Sequence, residues 1–118
     1  MERRLTTILA ADVVGYSRLM EKAEEATAAQ LEACQDLISK VVSSGGGRVF
    51  SRSGDAALAE FGSPINAIRS AVAIREEVAG QKTSDNEALQ LRFGLHLADV
   101  MVSCDDLLGD GVNLAARI

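Results

Sequence analysis

The chain opens on a nearly continuous apolar run. Residues 5–14 (LTTILAADVV) are apolar and β-branched, and the run stops at Gly15. Such a run, with no regular alternation, predicts a central strand buried on both faces. Asp12 lies near its C-terminal end. From residue 17 to residue 43 the pattern changes to helix. Leu31, Cys34, Ile38 and Val41 recur at helical spacing, and Leu37 and Val42 widen the stripe. Ser17 is the expected N-cap. A weak apolar pattern from Glu21 to Glu25 leaves room for two helices in succession. Gly45-Gly46-Gly47 ends the segment, glycine being free to take the left-handed cap.

Residues 48–53 and 56–61 predict two short strands joined by a Gly54-Asp55 turn. Ser63-Pro64 is a cap followed by proline at the first helical position. The helix it opens carries Ile65, Ile68, Val72 and Val78 on one side and ends near Gly80. Residues 81–87 are polar and loop-like. Leu89, Leu91, Phe93, Leu95 and Leu97 then alternate as a strand does, residues 99–103 form a further strand candidate, and residues 109–118 begin a helix. Two strand pairs with short connections exclude an all-parallel sheet. The expected fold class is α+β, ferredoxin-like, a mainly antiparallel sheet with helices packed on it. The length, 118 residues, fits one domain over residues 1–118.

Composition narrows the function classes. Only 3% of residues are aromatic and Trp is absent, so the core rests on Leu, Ile, Val and Ala. A formal net charge of -5 argues against nucleic acid as a partner, since phosphate backbones demand a basic surface. A single nucleotide remains possible, because a bound cation supplies positive charge locally. Cys34 and Cys104 have no metal-like spacing and read as packed free thiols of a reducing, cytoplasmic setting. No run approaches the ~20 apolar residues of a membrane span, and the start of the chain lacks the apolar stretch of a signal peptide.

Three patches carry candidate chemistry. In the first, Ala11-Asp12-Val13-Val14-Gly15-Tyr16-Ser17, a carboxylate leaves a buried strand and a glycine turn leads into a helix N-terminus. Backbone N–H groups there suit a polyphosphate, with Asp12 holding a cation beside it. The second is Ser53-Gly54-Asp55, which by itself is ordinary turn chemistry. The third runs from Asp106 to Arg117, where Asn113 and Arg117, four residues apart, share one helix face. An amide and a guanidinium projecting together suit an oxyanion, although an exposed polar face has the same pattern.

Taken in order and at these spacings, the patches resemble the class III adenylate/guanylate cyclase catalytic domain. The matching stretches are ILAADVVGYSRLM, SGDAALAEF, RFGLHLADV and GDGVNLAARI, from Arg4 to Ile118. The resemblance implies that Asp12 and Asp55 hold two Mg²⁺ or Mn²⁺ ions, with the Val13 carbonyl as a backbone ligand. It implies that Val14, Gly15, Tyr16 and Ser17 form the phosphate loop and that Asp106 reads the purine edge. Asn113 would orient the ribose, and Arg117 would stabilise charge at the α-phosphate. Family domains work as head-to-tail dimers, so a homodimer is expected, with a nucleoside triphosphate as substrate. Adenine-specific members carry a lysine where this chain has Ser51, four residues before Asp55. Asp106 still favours ATP over GTP, because a carboxylate accepts from the exocyclic amine of adenine. Family domains also continue beyond the Asn–Arg helix, so residues 1–118 are expected to be a domain incomplete at its C-terminus. The competing reading is a catalytically silent cyclase-homology domain that binds a nucleotide or a partner. A diguanylate cyclase is disfavoured, because the hairpin reads RSGDAA in place of that family's glycine-glycine-acidic signature.

Overall fold

The computed structural model describes residues 2–81, 88–103 and 106–108. The elements follow in the order β1 (Glu2–Val13), α1 (Tyr16–Lys22), α2 (Glu24–Ser44), β2 (Gly47–Ser53), β3 (Ala56–Phe61), α3 (Pro64–Ala79), β4 (Leu91–Ser103) and β5 (Asp106–Leu108). The strands form one sheet in the order β2-β3-β1-β4-β5. Every neighbouring pair is antiparallel, which bears out the expected α+β class. Among the described residues, no helix is long and apolar enough to cross a membrane.

The apolar run at the start becomes the central strand because both of its faces find cover. Leu9, Ala11 and Val13 point to the helices and share one core with Leu31, Cys34, Ile38 and Val42 of α2 and with Ala67, Ala71, Ile74 and Val78 of α3. Ile8 and Ala10 point the other way and pack with Ala98, Phe50 and Leu58 in a second, smaller cluster. Both helices therefore lie on one face of the sheet, and the other face stays open towards Asp12. Burial pushes the Cys34 thiol above its usual range, which keeps it neutral and inert in the core.

Several sequence expectations change in detail. The first helical segment is two helices, broken at Ala23. Ser17 does not cap the first of them. Gly15 is its N-cap at φ 72, so the helix begins at Tyr16 with no side-chain cap bond. Only glycine adopts that left-handed backbone without strain, and it turns the chain within two residues of the strand end. Ser63 does cap α3, accepting from the Asn66 N–H at 3.3 Å. Its buried face, however, is Ala67, Ser70, Ala71, Ile74 and Val78, while Ile65, Ile68 and Val72 are exposed. Val78 sits about a third of a turn away from those three at 100° per residue, so the four never formed one stripe. Small residues let α3 approach the sheet closely.

The two strands expected over residues 89–97 and 99–103 are a single strand, β4, paired with β1 from Val13↔Leu91 to Glu2↔Val102. Its hairpin partner is β5. The alternating leucines are only half used: Leu91 and Phe93 pack on the core, but Leu95 and Leu97 are 42% and 57% exposed. His96, opposite Ile8, lies on the other face as its phase demands.

Candidate functional site

Three chain segments meet at one end of the sheet. β1 delivers Asp12, the glycine turn and α1 follow it, and the β2–β3 hairpin delivers Asp55. Register fixes the approach: Asp12 pairs with Ala56 on one side and with Arg92 on the other. The Val13 N–H donates to the Asp55 carbonyl at 2.9 Å, which ties the hairpin turn to the end of β1. The next N–H, of Val14, donates to the Gln90 carbonyl at 2.9 Å and fixes the other side.

These ties build an open cleft of about 480 Å³ lined by Asp12, Val13, Gly15, Tyr16, Ser17, Arg18, Asp55 and Arg92. The residues expected to hold metal and polyphosphate therefore share one concavity, apart from Val14, whose side borders a separate hollow with Arg18 and Leu19. A second cleft of about 290 Å³ continues from Asp12 and Arg92 along the open face past Ser51, Ala56, Leu58 and Gly94. Ser51 reaches it because the β2–β3 register shifts between Val49 and Ser51. A bulge of this kind turns Phe50 and Ser51 to the same face.

Asp12 has a partner that the sequence reading missed. Arg92, its cross-strand neighbour, donates from Nε to Oδ1 at 3.0 Å and from Nη2 to Oδ2 at 3.1 Å. The hydrogen bond and charge of Asp12 push the Arg92 guanidinium above its ordinary range. Both side chains are solvent-accessible, 59% for Arg92 and 32% for Asp12. The signal available in sequence was positional: Arg92 lies near the start of the strand predicted over residues 89–97. Arg18, on the first turn of α1, was also missed.

Other expected residues lie elsewhere. Asp106 opens β5, paired with Ser103. That is the end of β4 remote from Asp12, since Arg92 and Ser103 are eleven residues apart on the strand. At ~3.4 Å per residue the separation approaches 40 Å. Asn113 and Arg117 lie outside the described residues, as do Cys104 and Asp110.

Known proteins with this chain's features agree with one another. The chain is 47% identical over its whole length to "Putative adenylate cyclase 3" of Rhizobium meliloti and spans 21% of that protein. It is 31% identical to an adenylate cyclase of Streptomyces coelicolor, of which it spans 30%. The crystal structure of an adenylate/guanylate cyclase/hydrolase from Silicibacter pomeroyi superposes with a TM-score of 0.85 at 37% identity, covering 98% of this chain and 69% of that one. The chain belongs to the class III adenylate/guanylate cyclase family. No protein-family model matches it.

The cleft has residue types that suit hard divalent cations. Asp12 and Asp55, whose carboxylates are hard oxygen donors, line one cleft together with Val13. A cation already stands against Asp12, in the form of the Arg92 guanidinium. Among the described residues no three His, Cys, Asp or Glu side chains converge.

Proposed function

We propose that residues 1–118 form part of the catalytic domain of a nucleotidyl cyclase, converting ATP, and less readily GTP, to the 3′,5′-cyclic nucleotide and pyrophosphate. The observation that carries the reading is the convergence of Asp12 and Asp55 on one cleft, with the Val13 N–H bonded to Asp55. Relatives named adenylate cyclase support the choice of ATP.

In this reading Asp12, Asp55 and the Val13 carbonyl hold two Mg²⁺ or Mn²⁺ ions. When bound, such ions acidify the ribose 3′-hydroxyl and neutralise the triphosphate. The hydroxyl oxygen bonds to the α-phosphorus, the bond from that phosphorus to the bridging oxygen breaks, pyrophosphate leaves, and the hydroxyl proton passes to solvent. The turn from Gly15 to Ser17 cradles the polyphosphate through backbone N–H groups, the Val14 N–H being already given to Gln90. Arg92, exposed beside Asp12 on the same cleft, would add positive charge near the leaving group. Arg18 lines the cleft from the other side.

Ser51 and Asp106 read the base, while Asn113 orients the ribose and Arg117 stabilises the transition state. The distance between the two ends of β4 supports a homodimer. One chain cannot bring its own Asp106 to its own Asp12, but two chains laid head to tail over their open faces exchange these ends and build two equivalent sites.

The test is incubation of the full-length protein with Mn²⁺ and ATP or GTP, following cyclic nucleotide and pyrophosphate. Asp12→Ala and Asp55→Ala are each expected to reduce both products to background. Activity untouched by either substitution would remove the metal roles. Nucleotide binding without any product would move the chain to the silent, nucleotide-binding reading.

A further inference from the structure

The two carboxylates of the cleft are held very differently. Asp12 sits inside a strand with ladder bonds on both sides. Asp55 sits in a two-residue turn, the least constrained place on a sheet, and something must fix it there if it is to be a ligand. Gln35 of α2 meets that turn from behind. Its side-chain Nε2 donates to the Ser53 carbonyl at 2.7 Å and to the Ala56 carbonyl at 2.9 Å. These are the two residues that flank Gly54-Asp55, so both amide protons of one side chain grip both ends of the turn.

Gln35 is only 6% exposed and lies in the midst of an apolar stripe, between Cys34 and Ile38. Its Oε1 is buried without a partner. A buried acceptor left unpaired costs ~1–3 kcal/mol. Rotating the amide would not relieve this, because it would set Oε1 against two carbonyl oxygens. A leucine would remove that cost but would leave the Ser53 and Ala56 carbonyls without their donor, so what the glutamine adds here is its grip on the turn. The clamp also has its complement: the Asp55 carbonyl accepts from the Val13 N–H at 2.9 Å. The turn is thus held from β1 at its tip and from α2 at its two shoulders.

We infer that Gln35 is a positioning residue for Asp55, fixing the hairpin turn so that its carboxylate meets a divalent cation at the Asp12 cleft. The inference rests on the metal roles proposed above. Gln35 touches neither cation nor nucleotide and acts through the backbone of the turn. Removing groups that orient metal ligands typically weakens metal binding ~10- to 100-fold.

The experiment measures Mn²⁺ binding to the full-length protein by the loss of the free-ion paramagnetic resonance signal, without nucleotide, beside thermal unfolding. The variants are Gln35→Leu, which keeps the bulk and removes both donors, and Val42→Ala, which opens the same helix's core contact without touching the turn. Asp55→Asn is the reference. Gln35→Leu is expected to weaken Mn²⁺ binding at least ~10-fold, with a fall in unfolding temperature no larger than that of Val42→Ala. Val42→Ala is expected to lower the unfolding temperature and leave the Mn²⁺ constant alone. Mn²⁺ binding by Gln35→Leu equal to wild type, or weakened no more than by Val42→Ala, overturns the positioning role. If Asp55→Asn weakens binding and Gln35→Leu does not, only this inference falls. If Asp55→Asn is without effect, or the wild type takes up no Mn²⁺, the metal reading falls with it.

Discussion

Two carboxylates on the open face of the sheet are both paired with arginine, and they are held very differently. Glu60 pairs across the ladder with Ile8, and Asp12 with Ala56, four residues further along β1. Glu60 Oε1 accepts from Arg4 at 2.6 Å and from Arg48 at 2.9 Å, and its side chain is 10% exposed. Thr6 Oγ1 lies 3.5 Å from Oε2. Asp12 is 32% exposed and has a single exposed arginine beside it, on a cleft. A carboxylate saturated by two cations inside the sheet has nothing left to offer a metal. One whose partner is a solvated guanidinium exchanges that partner at small cost. The contrast separates the two ends of the same face: one is closed, the other is available.

Exchanging each acid for its amide tests the contrast most strongly. Asp12→Asn is expected to cut cyclic-nucleotide formation by at least ~100-fold, while the unfolding midpoint hardly moves. Glu60→Gln should do the reverse. It leaves Arg4 and Arg48 facing each other over an uncharged group, and is expected to destabilise the fold by about 2 kcal/mol in denaturant titration. Turnover of the fraction that remains folded should be near wild type. Matching losses in both readouts from both substitutions would erase the distinction drawn here.

A smaller effect should appear in metal-linked stability. Any ligand that binds only the folded state raises its melting temperature. Mn²⁺ is therefore expected to stabilise the wild-type protein and Glu60→Gln by similar increments and to leave Asp12→Asn unmoved. A metal-induced shift that survives in Asp12→Asn would locate the cation elsewhere.

The sequence disclosed the frame of this arrangement and hid its fastenings. The apolar run ending in Asp12, the Gly54-Asp55 turn and the Ser63-Pro64 cap are local signals, decided by residues close in sequence, and all three appear where expected. What failed was decided by packing. The face that α3 buries is set by how closely Ala67, Ser70 and Ala71 let it approach the sheet, and counting large apolar residues picked Ile65, Ile68 and Val72 instead. β4 runs as one strand because Ala98 continues the pairing opposite Thr6, which no local pattern announces. Arg92 and Gln35 were missed for a related reason. Each is an ordinary polar residue until its partner arrives, eighty residues away in the chain for Arg92 and about twenty for Gln35. The glutamine did leave a trace, as a polar position between Cys34 and Ile38 in the apolar helix stripe from Leu31 to Val42.

The smallest expected effect is the most discriminating for Arg92 itself. Its pair with Asp12 is exposed, so its loss should be nearly silent in the fold: Arg92→Gln is expected to leave the denaturation midpoint unchanged within error. Its consequences belong to the cleft and run in opposite directions for the two ligands proposed there. Freed of a competing cation, Asp12 should take up Mn²⁺ more tightly, by no more than about fivefold and only at low salt, where the ion pair is unscreened. Deprived of a guanidinium, the same cleft should hold the polyphosphate less well, so KM for the nucleotide should rise. An arginine that merely fastened β4 to β1 would produce neither change, and would lower stability as Glu60→Gln does. Tighter metal with weaker nucleotide, on an unaltered fold, is the signature of a side chain that lends its charge first to one anion and then to the other.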